Sequence, residues 1–241
     1  MSAVLPLGRA AGSSLVQQAM DAVTSHIRNR ELRVGDTLPG EAHFAGELGV
    51  SRAVMREAFG ALAALRLIDV GNGRRPRVSA MDGSVIAASL DHAVSTAQVS
   101  VPEIWDVRRT IELRTAELAA LERTEAEAAE IEALAEKMAD SVDDLKTMCR
   151  YDIAFHEAIA RATHNELFVQ IVASFGPLME VAVPTAWRTR TTDFQRETTI
   201  ERHRAVARAI RRKDAILATM AMGDHFDASI GDILKARADG E

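Results

Sequence analysis

Residues 38–59 read LPGEAHFAGELGVSRAVMREAF. Pro39 and Gly40 interrupt the chain ahead of an apolar-periodic segment containing Phe44, Ala45 and Leu48, and Gly49 stops that segment where a positive φ is usually wanted. Ser51 is placed to cap a second helix, in which Val54, Met55, Ala58, Phe59 and Leu62 recur at helical spacing and should be buried. That leaves Ser51, Arg52, Ala53 and Arg56 on the outer face of its first turns. The pattern predicts a helix-turn-helix whose second helix enters the major groove of DNA by its N-terminal end.

Upstream, Leu15, Val16, Ala19, Val23 and Ile27 recur at roughly helical spacing behind Ser13 or Ser14 as caps, and Leu32 to Asp36 form a turn. Downstream, Leu67 to Val70 and Arg77 to Ser79 are short runs separated by Gly71, Asn72, Gly73 and arginines, a pattern for a β-hairpin with a basic tip. Alone, three arginines in a loop would only solvate it. Beside a helix-turn-helix, Asn72, Gly73, Arg74, Arg75 and Arg77 are expected to lie along DNA phosphates or in the minor groove.

The domain boundaries read as a mobile tail over 1–12, a DNA-binding domain over 13–79, and a linker with a short helix over 80–100. A helical domain over 101–236 and a tail over 237–241 follow. Within the helical domain, segments are expected near 102–123, 125–140, 144–162, 164–182, 196–212 and 214–236, with caps or breakers at Thr124, Asp143, Asn165, Pro184 and Asp214.

Composition agrees with packed helices: 47% of residues are hydrophobic, 27% charged and only 4% aromatic. The net charge of −6 hides an asymmetry. Residues 1–78 hold 10 Arg or Lys against 7 Asp or Glu, a balance of +3, whereas the remainder holds 19 against 28, a balance of −9. A mildly basic module attached to an acidic body fits a DNA reader carried by a domain with another task. Cys149 is the only cysteine, so no intrachain disulfide forms and a reducing cytoplasm is the expected setting. No apolar run approaches the roughly 20 residues of a membrane span, and the first residues do not read as a signal peptide.

Polar residues fall where core is expected. In 144–162, Leu145, Met148, Phe155 and Ile159 mark an inward stripe, and Asp152 lies within it with His156 one turn on. A buried carboxylate is costly unless paired. His203 shares a stripe with Ile200, Ala207 and Ile210, and His225 lies beside Leu217, Ala221 and Ala228. Each histidine alone reads as an ordinary hydrogen-bonded core residue. Together, three imidazoles and a carboxylate on inward faces of three helices suit a divalent transition metal such as zinc, nickel or manganese.

The helix-turn-helix resembles that of the GntR family of bacterial transcription factors, whose pattern L-P-x-E … G-V-S-R-x-x-x-R-E-A is met by Leu38, Pro39, Glu41, Gly49, Val50, Ser51, Arg52, Arg56, Glu57 and Ala58. Many members carry an arginine after the glutamate; here Ala42 stands there. Residues from about 84 to 236 resemble the FCD effector domain of the FadR-like subfamily. The matching phrases are Tyr151 to His156, Glu201-Arg202-His203 and Met222 to His225, with Arg202 inserted between a glutamate and histidine that are usually adjacent. The resemblance implies a mainly α protein, with an N-terminal winged helix-turn-helix, a small β-hairpin wing and a C-terminal all-α helical bundle. It implies metal ligation by Asp152, His156, His203 and His225, and a small carboxylate effector, such as a sugar acid, bound partly through the metal.

Arg108, Glu112 and Thr115 share one helix face and match a V-R-x-x-x-E phrase of the domain. Arg108 either meets the effector carboxylate or pairs with Glu112 within its helix. Asn165 either caps a helix or reaches the pocket, and Trp187, Arg188 and Arg190 are expected in a loop after Pro184, as a lid. The expectation is a homodimeric, ligand-responsive repressor released from a palindromic operator on double-stranded DNA, with zinc as the foremost metal. The alternatives are a purely structural metal, and a metalloenzyme with an accessory DNA module. The second lacks an evident general base or nucleophile.

Overall fold

The computed structural model describes residues 14–71 and 73–238. The expected tail 1–12, the alternative cap Ser13, the wing residue Asn72 and residues 239–241 lie outside them. The chain divides into two compact units between Val85 and Ile86.

The first unit contains α1 (Leu15–Asn29), α2 (Glu41–Leu48), α3 (Arg52–Ala64), β1 (Ile68–Asp69) and β2 (Arg77–Val78). Ser14 caps α1 by accepting from Gln17 N, and Gly49 ends α2 with φ +69°, a left-handed conformation that an L side chain resists. Ala19 and Val23 of α1, Phe44 and Leu48 of α2, and Met55, Phe59 and Leu62 of α3 close one core with Leu38 and Ile68. The wing is antiparallel, with Ile68 opposite Val78 and Asp69 opposite Arg77. Its second strand is covered on the other edge by residues 35–38: Gly35 N donates to Val78 O at 2.9 Å, Val78 N to Asp36 O at 2.9 Å, and Leu38 N to Pro76 O at 2.8 Å. The turn before the helix-turn-helix thereby ties down an otherwise open edge.

The second unit takes most of α4 (Ser84–Ser95), then α5 (Val101–Glu122), α6 (Glu125–Ala139), α7 (Leu145–Arg161), α8 (Glu166–Ser174), α9 (Gly176–Arg188), α10 (Asp193–Arg211) and α11 (Ala215–Ala238). Capping boxes at Ser100/Glu103, Thr124/Glu127 and Thr192/Gln195 start α5, α6 and α10. Leu90 and Val94 of α4 pack against the main core, so part of the expected linker belongs to this unit. α11 packs along α5 and α10, and α6 along α7 and α10, around Met148, Phe155, Ile159, Ile200, Ile210, Met222 and Phe226.

Three expectations are corrected. The single helix over 164–182 is two helices, α8 and α9, bent by 53° on either side of Phe175. Pro177 causes the break: its missing N–H and its ring are incompatible with continuing α8, but suit the first turn of α9. Pro184 does not end a helix; it lies inside α9, where burial of Ala186 and Trp187 holds the following turn. The last helix reaches Ala238, so residues 237 and 238 are helical. No single helix among the described residues is long and apolar enough to cross a membrane.

Candidate functional site

In the first unit, the Ser51 side chain accepts from Val54 N at 3.2 Å and orients the start of α3. Arg52 and Ala53 are exposed beside it, and Arg56 is exposed with its Nε 3.9 Å from Glu41 Oε2. This terminus presents arginines and a helix N-terminus of the kind that meets phosphates and base edges. At the wing, Gly73 takes φ +73° to make the tip, and Arg74 and Arg75 are exposed, with Arg74 Nη2 4.0 Å from Asp69 Oδ2. Arg77 differs: its Nη1 donates to Gly35 O at 2.7 Å, so part of its guanidinium holds the wing to the turn.

In the second unit, α7 places Asp152 and His156 one turn apart on its buried face, α10 contributes His203 and α11 His225, all at most 6% exposed. The nitrogens offered by the three histidines lie within 4.8 Å of one another, so a small closing movement would bring them to the roughly 4 Å that two bonds of about 2 Å can span. The Glu112 carboxylate on α5 accepts from His156 Nδ1 and from Arg108 Nε. Burial pushes the Glu112 carboxyl up, but Arg108 and His156 outweigh it and hold it below the usual carboxylate range. With Nδ1 so committed, the other ring nitrogen of His156, Nε2, is buried without a hydrogen-bond partner. A carboxylate behind an imidazole whose other nitrogen is unsatisfied is the arrangement that supports a metal ligand.

His203 Nδ1 donates to Thr199 O at 2.9 Å, and its Nε2 lies 3.1 Å from Asp152 Oδ1. Burial raises Asp152, yet His203, His156 and Arg108 pull its carboxyl well below the usual range, so it is ionised. Burial first, then His203, His156, Arg108 and Arg190, pushes His225 well below the usual imidazole value and leaves it neutral, as a ligand must be. The donor set fits a divalent ion: three imidazoles, one of them held neutral and another with an orphaned nitrogen, beside an ionised carboxylate.

The cavity beside these groups is small, about 30 Å³, and is walled by Trp105 and Arg108 of α5, by Val183, Ala186 and Trp187 of α9, and by Arg190. Arg108 satisfies both readings left open for it: it pairs with Glu112 and also lines the cavity, with its guanidinium 5.2 Å from the Trp105 ring. Two expected pocket residues do not line it. Glu112 stands behind His156 and Arg108, and the exposed Asn165 caps α8 by accepting from Leu167 N at 3.1 Å. Trp187 does line it, but as the buried last turn of α9, not as a loop lid. Trp105 had no part in the sequence reading, although it precedes Arg108 by three positions and so shares its face. Its Nε1 is also buried without a partner.

The FCD domain model matches residues 103–228, and the model for bacterial regulatory proteins of the gntR family matches residues 15–78. The HTH-type transcriptional regulator LutR of Bacillus subtilis is 29% identical over 213 residues, spanning 86% of this chain and 95% of that protein. The galactonate operon transcriptional repressor of Escherichia coli is 28% identical over 193 residues, 78% of this chain and 82% of its own. The Glc operon transcriptional activator of the same species is 33% identical over 153 residues, 61% and 60%. Among solved structures, Streptococcus agalactiae GntR aligns with a TM-score of 0.61 at 25% identity, covering 88% of this chain and 97% of that one.

Proposed function

We propose, since this chain belongs to the FCD-domain branch of the GntR family and is a DNA-binding transcriptional regulator, that it is a repressor released from a palindromic operator by a small carboxylate held beside a divalent metal. The observation that carries the effector half is His156, whose Nε2 is buried without a partner at the edge of a cavity that also holds a guanidinium. His156, His203, His225 and Asp152 would hold the ion, zinc foremost, with nickel or manganese as alternatives. Bound there, the ion supplies a Lewis-acidic anchor for a carboxylate oxygen. Arg108 offers the effector charge-assisted hydrogen bonds, Glu112 keeps His156 in the tautomer that frees Nε2, and Trp105 and Trp187 exclude water.

The DNA half rests on α3 and the wing. Ser51, Arg52, Ala53 and Arg56 would meet bases and phosphates, Gly73, Arg74 and Arg75 the flanking backbone, and two chains would match the two half-sites. Effector binding shifts the balance between two arrangements of the reading heads, which requires only unequal affinities for them. Relatives named as a repressor and as an activator leave the sign of regulation to experiment.

One observation favours a second reading. A cavity of about 30 Å³ holds little more than a water molecule, as expected if four protein ligands close around a structural ion. A thermal-melt panel of small carboxylates, sugar acids foremost, on zinc-loaded and chelator-stripped protein separates the two. One acid that stabilises only with zinc, and that releases operator DNA, supports the effector reading. Stabilisation by zinc alone, with every acid silent, supports the structural ion.

A further inference from the structure

The metal-side cavity is closed by a helix with empty space behind it. Val183, Ala186 and Trp187 of α9 wall the cavity of about 30 Å³. Leu178, Met179, Val181, Ala182 and Thr185 of the same helix line a second cavity of about 310 Å³, whose other walls are Asp91, Val94 and Ser95 of α4 and Val101 and Ile104 of α5. That cavity is a groove open to solvent, mostly apolar and ten times the larger, with Val181 71% exposed. A helix face that meets a groove in place of packed side chains forgoes contacts on that side.

The same helix, anchored in the core by Met179, Ala186 and Trp187, is interrupted at two points. It joins α8 at a 53° bend with Phe175 alone between them. Pro184, in its middle, has no N–H to give to the carbonyl of Glu180, so one rung of the helix is missing. Meanwhile the closed state leaves Trp105 Nε1 on the cavity wall buried without a partner, a cost relieved once a polar atom enters.

We infer that α9 is the gate of the metal-side cavity: it swings into the apolar groove that it forms with α4 and α5, enlarging the polar cavity as the groove narrows. This gives the proposed effector its way in and rests on that reading for its purpose, whereas the movement itself is a property of the helix. It also assigns the groove a role, as the space into which Leu178, Val181 and Ala182 move.

The test uses the full chain loaded with zinc, with hydrogen exchange followed for amides 176–188 and for those of α10. In a Trp105→Phe background, acrylamide quenching reports on Trp187 alone. The expectation is that α9 exchanges faster than α10. Ala182→Phe, which occupies the groove, and Pro184→Ala, which restores the missing rung, should each slow α9 and shield Trp187, with zinc-induced stabilisation unchanged. D-gluconate, used as a six-carbon probe, should bind Ala182→Phe about tenfold more weakly if the open fraction falls tenfold. Exchange in α9 as slow as in α10, or unaltered by both variants, overturns the gate. Should Ala182→Phe fail to fold, Pro184→Ala decides alone. Slowed exchange with no acid bound by any form leaves the gate standing and removes the effector; acid binding with α9 unaltered does the reverse.

Discussion

His203 Nε2 lies 3.1 Å from Asp152 Oδ1 while Nδ1 of the same ring donates to the Thr199 carbonyl. A carbonyl only accepts, so the ring donates through Nδ1 and turns Nε2 toward an ionised carboxylate. A divalent ion bound beside both would be held by the nitrogen and the carboxylate oxygen together.

Zinc at 100 times its dissociation constant should therefore stabilise the fold by about 2.7 kcal/mol. His203→Ala and Asp152→Asn should each abolish most of that rise in melting temperature. A full zinc response in either variant would take that residue out of the ligand set.

Glu112 is argued to act through His156. Glu112→Gln retains the shape but removes the charge that fixes the imidazole and pairs with Arg108. Zinc affinity, measured by competition with a chromophoric chelator, should fall about 10- to 100-fold. Unchanged affinity would reduce the contact to packing.

The arginines of the DNA head should separate by role. Arg52→Ala should cost roughly 1 to 3 kcal/mol in operator affinity and blur sequence preference. Arg75→Ala should lower affinity evenly across sequences and reduce the salt slope by about one, with the melting temperature unaltered. Arg77→Ala should also lower the melting temperature, because it removes the bond to Gly35 O. Equal thermal behaviour of the Arg75 and Arg77 variants would contradict the structural share given to Arg77.

Asn165→Ala tests a cap against a pocket role. Loss of the bond to Leu167 N should cost about 1 kcal/mol of stability and leave zinc and carboxylate responses untouched. A selective loss of carboxylate response would restore Asn165 to the pocket.

Acid stability should carry a signature of the α6 cap. Glu127 accepts from Thr124 N at 2.7 Å, Thr124 Oγ1 at 2.8 Å and His164 Nε2 at 3.1 Å. Burial pushes its carboxyl up, but these bonds outweigh it, so its pKa lies below the ordinary 4.5. A depressed folded-state pKa means stability fully present above the unfolded value and lost as pH falls through the folded one. Glu127→Gln should lower the melting temperature at neutral pH and flatten its decline from about pH 5 downward. A wild-type acid limb in the variant would exclude this cap as a contributor.

The legible parts of the molecule were those written in local spacing. Phe44, Leu48, Met55, Phe59 and Leu62 pointed inward by helical period, Gly49 marked a left-handed stop, and Asp152, His156, His203 and His225 stood out as polar groups on apolar stripes. Errors came where a local signal competed with packing. Pro184 reads as a breaker, yet burial of Ala186 and Trp187 keeps its helix going. Pro177, inside a stretch that otherwise reads as helix, was the true break. Asn165 and Glu112 share family positions with a pocket, but their side chains are spent on a cap and on an imidazole.

The sequence by itself determined two units of opposite charge, the helix-turn-helix with its basic wing, and the inward polar side chains on three helices, because period and residue chemistry are local properties. Only the tertiary structure decided which nitrogen of His156 lacks a partner, that Trp105 joins Arg108 at the cavity, that Arg77 braces the wing, and that an apolar groove lies behind α9. Those facts depend on which groups from distant segments meet, and on the space left when they do.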